Sequence, residues 1–229
     1  MRVLVTRPIR DGEKIARRLA LLGHQALLAP LVSVKFLNPA LDLKDVQAVL
    51  ATSANGVRAF CALTRRRDLP LFAVGPQTAA QARDEGFIHV SSAEGDAGAL
   101  ARAVNASVRP EAGPLLHAAG EEAGRELGDS LRRHGFRVVQ KHLYRMEAAQ
   151  RFPDDAAQAM CEAAIDAAMF FSPRSAALFA HCALKEQLPT AGILAVCISA
   201  TTAVALEGLA LSAIRIAREP NQDALLACL

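Results

Sequence analysis

The chain has 229 residues, a net charge of +3 and 52% hydrophobic residues, while aromatic residues make up only 4%, with one Tyr and no Trp. That length fits one large domain or two small ones, each with a buried aliphatic core. The mild charge and scarce aromatic rings argue against a nucleic-acid surface, which needs a basic face and stacking platforms.

Short aliphatic runs predict strands at residues 3–6, 25–28 (extending irregularly toward 36), 48–52, 71–74, 89–90, 114–117, 138–143, 168–171, 193–198 and 214–217. Helical patterns such as 12–22 and 124–133 lie between most of them. Alternating strands and helices mean parallel sheets with helices on both faces. Gly23, Gly86, Gly135 and Gly208 follow Ala/Leu-rich helical runs, where a left-handed residue closes the helix. Ser172-Pro173 reads as an N-cap with proline in the first turn, and Gly75-Pro76 has the same shape. Residues 191–214 hold one charge, Glu207, and read as strand, helix and strand in a buried place rather than as a membrane span. Segments 33–45 and 145–155, with Pro39 and Pro153, break the pattern and read as crossings between domains.

The elements repeat. Thr52-Ser53-Ala54 and Gly75-Pro76-Gln77-Thr78 return as Phe171-Ser172-Pro173 and Ser199-Ala200-Thr201-Thr202. Val3-Leu4-Val5-Thr6-Arg7 returns as Leu115-Leu116-His117-Ala118-Ala119, and Leu19 and Gly23 as Leu131 and Gly135 at the same offset. The order is A–B–A′–B′, so two similar domains would set two similar groups of loops around one cleft. The repeated turns fall at the carboxyl ends of parallel strands, where open α/β sheets bind ligands. Their free N–H groups and helix dipoles favour anions such as carboxylates.

The chain lacks G-x-G-x-x-G, G-x-x-x-x-G-K-[ST] and G-x-S-x-G, which removes the usual support for nicotinamide, P-loop and hydrolase readings. Its six histidines show no metal-ligand spacing. Arg65-Arg66-Arg67, Glu121-Glu122 and Asp154-Asp155 read as solvated turns. Five cysteines without a C-x-x-C pair suit a reduced, cytoplasmic protein, and the first apolar run ends too early for a signal peptide. No strong catalyst stands out, which suggests chemistry driven by binding and orientation.

Thr6-Arg7-Pro8, Thr52-Ser53-Ala54-Asn55-Gly56-Val57, Val74-Gly75-Pro76-Gln77-Thr78-Ala79, Leu143-Tyr144-Arg145, Phe170-Phe171-Ser172-Pro173-Arg174-Ser175-Ala176 and Pro220-Asn221-Gln222-Asp223-Ala224-Leu225 together resemble the uroporphyrinogen-III synthase family. The resemblance implies two flavodoxin-like parallel-sheet domains joined by a two-stranded linker, with the active-site cleft between them. Residues 1–34 plus 148–229 would form a discontinuous domain and 38–143 an inserted one. The family's enzymes are hydro-lyases. They close hydroxymethylbilane, a linear tetrapyrrole, with loss of water and inversion of the terminal pyrrole through a spiro intermediate. No metal or organic cofactor is implied, nor any nucleic-acid or membrane partner, and a monomer is expected. Two departures stand out: Ser199 replaces the Gly75 of the first copy, and the loop at residues 117–120 lacks the arginine that many bacterial members carry.

The resemblance makes Tyr144 the candidate contact to the leaving hydroxyl; the alternative is a tyrosine packed in the linker. Arg7, Thr52, Ser53, Asn55, Gly75, Thr78, Ser172, Arg174, Ser199 and Thr202 are the candidate substrate-binding residues. Helix capping competes with ligand contact for the Ser and Thr residues, and one turn can do both. Arg7 could pair with a substrate carboxylate or sit in a salt bridge. A non-catalytic two-domain binding protein for a small anion would share the cleft and give Tyr144 no role. A flavodoxin-like redox carrier fits less well, because few rings are present to stack on a flavin.

Overall fold

The computed structural model describes residues 1–229. In chain order its strands are β1 (Arg2–Val5), β2 (Gln25–Leu28), β3 (Val32–Phe36), β4 (Ala48–Ala51), β5 (Leu71–Ala73), β6 (Val90–Ser92), β7 (Leu115–Gly120), β8 (Val138–Ala148), β9 (Ala167–Phe170), β10 (Leu194–Cys197) and β11 (Ala213–Ile216). The helices are α1 (Ile9–Leu21), α2 (Ala54–Leu63), α3 (Pro76–Asp84), α4 (Ala97–Ser107), α5 (Glu126–Arg133), α6 (Asp154–Cys161), α7 (Pro173–Lys185), α8 (Ala200–Val204) and α9 (Gln222–Leu226). The chain divides into two compact units, Met1–Ser33 with Glu147–Leu229, and Val34–Met146.

The first unit holds a parallel sheet in the order β2-β1-β9-β10-β11. Numbered along this unit alone, that is the 2-1-3-4-5 order of the flavodoxin-like fold. The second unit has β8-β7-β4-β5-β6, also parallel, with β3 added beside β8. This is the same spatial order with its first two strands moved to the end of the chain. The A–B–A′–B′ repeat is therefore a permutation written into the connectivity: A pairs with B′, and A′ with B.

The central strands of each sheet are buried on both faces, as helix-covered parallel strands must be. On one face of the first sheet Val3, Val5, Met169 and Val196 pack under Ile15 and Leu19 of α1 and Leu225 of α9. On the other, Leu4, Phe170 and Cys197 pack under α6 and α7, where Phe152, Phe170 and Phe179 meet edge to face. In the second unit Val49, Ala51, Leu71 and Leu116 face α2 and α3, while Ala48, Leu50, Phe72 and Leu115 face α4 and α5. Each Leu or Phe buried this way contributes about 1.5–3 kcal/mol. Gly23, Gly86, Gly135 and Gly208 all have positive φ, the left-handed closure their positions predict.

Four expectations need correction. The strand at 25–28 does not run on irregularly toward 36; β3 is a separate strand from 32. The strand expected at 89–90 begins at Val90 and continues to Ser92. The segment 145–155 is not all break, since β8 continues to Ala148. Its partner β3 runs the opposite way, with Leu37 N–H on the Leu143 carbonyl and Ala149 N–H on the Leu31 carbonyl, and these pairings keep the backbone extended. Finally, residues 191–214 do form strand, helix and strand, but β11 is exposed along its length rather than buried. It is the edge strand, paired only with β10, so its isoleucines are apolar without being core. No helix is long and apolar enough to cross a membrane.

Candidate active site

The repeated turns are helix N-caps. Ser53, Ser172 and Ser199 are extended residues whose hydroxyls accept the N–H of Gly56, Ser175 and Thr202 at the starts of α2, α7 and α8. Gly75 occupies the same place before α3 without a side chain, and Pro76 follows in the first turn. Each cap ties up one first-turn N–H and leaves others for a ligand or water, at the positive end of a helix dipole. In open α/β sheets the crevice lies where the strand order reverses. In the second unit that point is between β7 and β4, and there the turn after β4 presents Thr52 and Ser53 beside Gly120 at the end of β7.

A cavity of about 210 Å³ opens at this point, lined by Thr52, Ser53, Gly120, Glu121, Glu122, Ala123, Tyr144, Arg145 and Met146. Tyr144 reaches it through an irregularity in strand pairing. Ala119 pairs with His142 but Gly120 pairs with Tyr144, so Leu143 is an extra residue. Ideal alternation would put Leu143 and Tyr144 on opposite faces. With the bulge, Leu143 is fully buried in the core under α2 and α3, and Tyr144 packs against the same core. Bulges re-aim side chains in this way. The Tyr144 carbonyl accepts the Glu121 N–H at 2.9 Å, and its Oη lies 2.9 Å from Ser53 Oγ.

His117 lies under this site and is 1% exposed. Its Nε2 is 3.4 Å from Thr52 Oγ1, and its buried Nδ1 has no hydrogen-bond partner. Burial lowers its pKa from the ordinary 6.5 to about 4; neighbouring Gln140 works against the shift and His142 with it. His117 is neutral at pH 7 and fills a position that its repeat mate, Val5, fills with aliphatic carbon.

The remaining candidates are placed as follows. Asn55 follows Ser53 in the first turn of α2, and Thr78, 6% exposed, sits in the first turn of α3. In the first unit, Arg7 is paired with Asp11 at 3.2 Å and lies 4.8 Å above the Phe171 ring. Thr6 is buried and donates its hydroxyl to the Met169 carbonyl. Ser172 and Arg174 open α7, and Ser199 opens α8. Thr202 is fully buried, its hydroxyl 3.0 Å from Ser199 Oγ, so that hydroxyl is engaged in the cap.

The cavity thus brings together Thr52, Ser53 and Tyr144. Gly75 and Thr78 stand at the next strand end and do not line it. Gly120, Glu121 and Glu122 do line it, and sequence reasoning missed them; the glycine ending an aliphatic strand was the available signal. Arg67 also departs from the reading of a solvated turn. It donates to the carbonyls of Cys61, Thr64, Arg66 and Glu85 and lies over Phe87, pinning the loop before β5.

Comparison with curated proteins gives no match. Among solved structures, uroporphyrinogen-III synthetase from Helicobacter pylori 26695 is similar at 20% identity and a TM-score of 0.65, covering 100% of this chain and 98% of that one. A triple-mutant form of uroporphyrinogen III synthase from Thermus thermophilus is also 20% identical, with a TM-score of 0.48 and coverage of 100% and 96%. At 20% identity the likeness to the Helicobacter pylori structure shows the fold. The family described as uroporphyrinogen-III synthase HemD matches residues 13–227, and a match over that span means the chain belongs to the uroporphyrinogen-III synthase family, the cyclising lyases of tetrapyrrole biosynthesis.

Proposed function

We propose that the chain cyclises hydroxymethylbilane to the inverted, type III uroporphyrinogen, and that Tyr144 serves the dehydration. The observation that carries this is the Tyr144 hydroxyl, bonded to a helix N-cap in a cavity at the reversal point of a parallel sheet. The substrate's carboxylates bind the first-turn N–H groups opened by Ser53, Gly75, Ser172 and Ser199, with Thr52, Asn55, Thr78, Thr202, Arg7 and Arg174 supporting or extending those turns. The hydroxymethyl oxygen meets Tyr144. The C–O bond breaks with its electron pair on oxygen, and the phenol hydrogen bond stabilises that oxygen as it leaves as hydroxide. The azafulvene cation left behind is attacked by the substituted carbon of the last pyrrole, giving the spiro intermediate. Rearrangement and loss of one ring proton complete the inverted macrocycle, and that proton joins the departed hydroxide to make the one water released.

Most of the rate enhancement is assigned to orientation, which can supply roughly 7–11 kcal/mol when reacting atoms are well held. The two units are taken as domains, one discontinuous (1–34 with 148–229) and one inserted (38–143). The protein is read as a cytoplasmic monomer without nucleic-acid or membrane partners. Its cysteines are free, and burial pushes the Cys61 and Cys197 thiols up to about 11, which leaves them poor nucleophiles.

The decisive experiment gives purified protein fresh hydroxymethylbilane, with no added metal or cofactor, and separates the isomers of the oxidised product. Predominant type III is expected. A product mixture unchanged from the spontaneous control, with folded protein, overturns the proposal; tight product binding alongside it would favour a non-catalytic binding protein.

A further inference from the structure

We propose that Ser53 and Gly120 are positioning residues for Tyr144: Ser53 donates its hydroxyl proton to Tyr144 Oη, and the missing side chain of Gly120 leaves the phenol room to turn its own proton into the cavity. The inference rests on the functional reading above and reassigns the Ser53 hydroxyl from substrate contact to alignment.

Ser53 Oγ has one proton and two lone pairs. It accepts the Gly56 N–H at 3.0 Å and lies 2.9 Å from Tyr144 Oη. A hydroxyl that accepts from a helix N-terminus is polarised toward donation. The sister turn shows that arrangement in full: Ser172 Oγ accepts the Ser175 N–H at 3.2 Å and donates to Ser175 Oγ at 3.1 Å. The residue three along from Ser53 is Gly56, which has no hydroxyl to receive the proton, so it goes to Tyr144. With Ser53 donating, the phenol proton is free to point elsewhere; with Ser53 accepting, that proton would be lost to the protein.

Gly120 sets the other side. A Cβ there would lie 2.7 Å from Tyr144 Cζ, 2.9 Å from Oη and 3.0 Å from Cε2. Gly120 is not among the residues with positive φ, so the glycine is required by space and not by backbone conformation. The clash falls on the tip of one side chain, so a methyl there displaces the phenol and leaves the sheet intact.

The test uses the full-length protein, because Tyr144 is its only Tyr and it has no Trp. Ultraviolet resonance Raman spectra then report whether this one phenol donates or accepts its hydrogen bond. Asp, Asn and Ser cap helices about equally well, so Ser53→Asn and Ser53→Asp both keep α2 capped. The Asn side chain can still donate to Tyr144, whereas the carboxylate can only accept. Ser53→Asn should keep kcat within about threefold, while Ser53→Asp and Gly120→Ala should lower it on the order of tens-fold. Gly120→Ala should melt as the wild type does. In a Tyr144→Phe background none of the three should lower kcat further, the non-additivity expected of residues acting through one group. Repulsion of substrate carboxylates by the carboxylate introduced in Ser53→Asp would raise KM and leave the kcat comparison intact. Undiminished kcat in Gly120→Ala, equal kcat in the Asn and Asp variants, or effects that persist in the Phe background would each overturn the proposal. A wild type with no synthase activity would sink the functional reading, and the Raman signature would still decide the phenol's orientation: an acceptor in the wild type supports it, a donor to Ser53 overturns it.

Discussion

The turn at Ser53 and the turn at Ser172 come from the same piece of the repeat, and both cap a helix by the same bond to the N–H three residues on. They differ in what that third residue is. Ser175 takes up the Ser172 hydroxyl and donates its own back to the Ser172 carbonyl, so the turn in the first unit is closed on itself. Gly56 offers no such group, and an added Cβ there would run into the Ala118 carbonyl. The turn in the second unit therefore lies tight against β7 and brings its hydroxyl oxygen within 2.9 Å of Tyr144 Oη. The lesson is that the duplication repeats a scaffold without repeating its hydrogen bonds, and that one absent side chain separates a cap closed on itself from one that meets a tyrosine.

The comparison is broken most forcefully at Tyr144. Tyr144→Phe keeps the ring and should leave the melting temperature nearly unchanged. It should lower kcat by tens to several hundred-fold, the roughly 2–4 kcal/mol of a hydrogen bond to developing charge. Product affinity should hold, because the proposed binding mode seats the carboxylates on the turns and not on Tyr144. Steady-state kinetics with product titration separate the two; full turnover with weakened binding would make Tyr144 a substrate-positioning group.

His117 sharpens the contrast through pH. Its pKa is depressed in the folded protein to about 4 from 6.5. Between these values the unfolded chain binds a proton that the folded one refuses, so stability is complete above 6.5 and falls as pH drops toward 4. The loss amounts to roughly 3 kcal/mol. His117→Val installs the residue that β1 carries at the matching place and should flatten denaturant-measured stability across that window. A slope identical to that of the wild type would assign the acid sensitivity to other groups.

Next comes Gly56→Ala, which forces a methyl against a backbone carbonyl that cannot step aside and should cost about 1–3 kcal/mol. The matching change in the first unit, Ser175→Ala, removes a hydroxyl without adding bulk and should cost closer to 1 kcal/mol. Thermal melts of the pair rank the two; equal losses would mean that α2 can shift off β7. The smallest effect is expected for Ser172→Ala, about 1 kcal/mol from the lost cap. Its catalytic signature should be a raised KM with kcat within a few-fold, unlike changes at Tyr144.

Much of the scaffold could be read from local chemistry. Short aliphatic runs marked the central strands, and Ser172-Pro173 and Gly75-Pro76 marked helix starts because a cap needs only the few residues around it. What escaped notice depends on partners distant in the chain. The slipped pairing of Gly120 with Tyr144 is a property of two strands together, and no residue advertises it. Ile214 and Ile216 look like core and are exposed, because the sheet ends with their strand. Glu121 and Glu122 are an exposed turn, as their sequence suggests, and only the loop's path after β7 brings that turn to the cavity. Tyr144 itself was singled out by family resemblance, and its contact with Ser53 could not be foreseen across the intervening sequence.

The position of β1 has a consequence during synthesis. β1 sits between β2 and β9, with Val3 opposite Ala167. As the nascent chain emerges, β1 and β2 appear first, yet the strand that completes their sheet is still unmade. At about 5–20 residues per second, β9 arrives roughly 7–28 seconds later. In that interval the whole continuous unit, Val34–Met146, can be made and close its own core. The β1–β2 pair must therefore wait with the β9-facing edge of β1 open, the kind of edge that invites wrong pairing. Exposure to misassembly is concentrated at β1 and β2 during that interval, before any tetrapyrrole can bind.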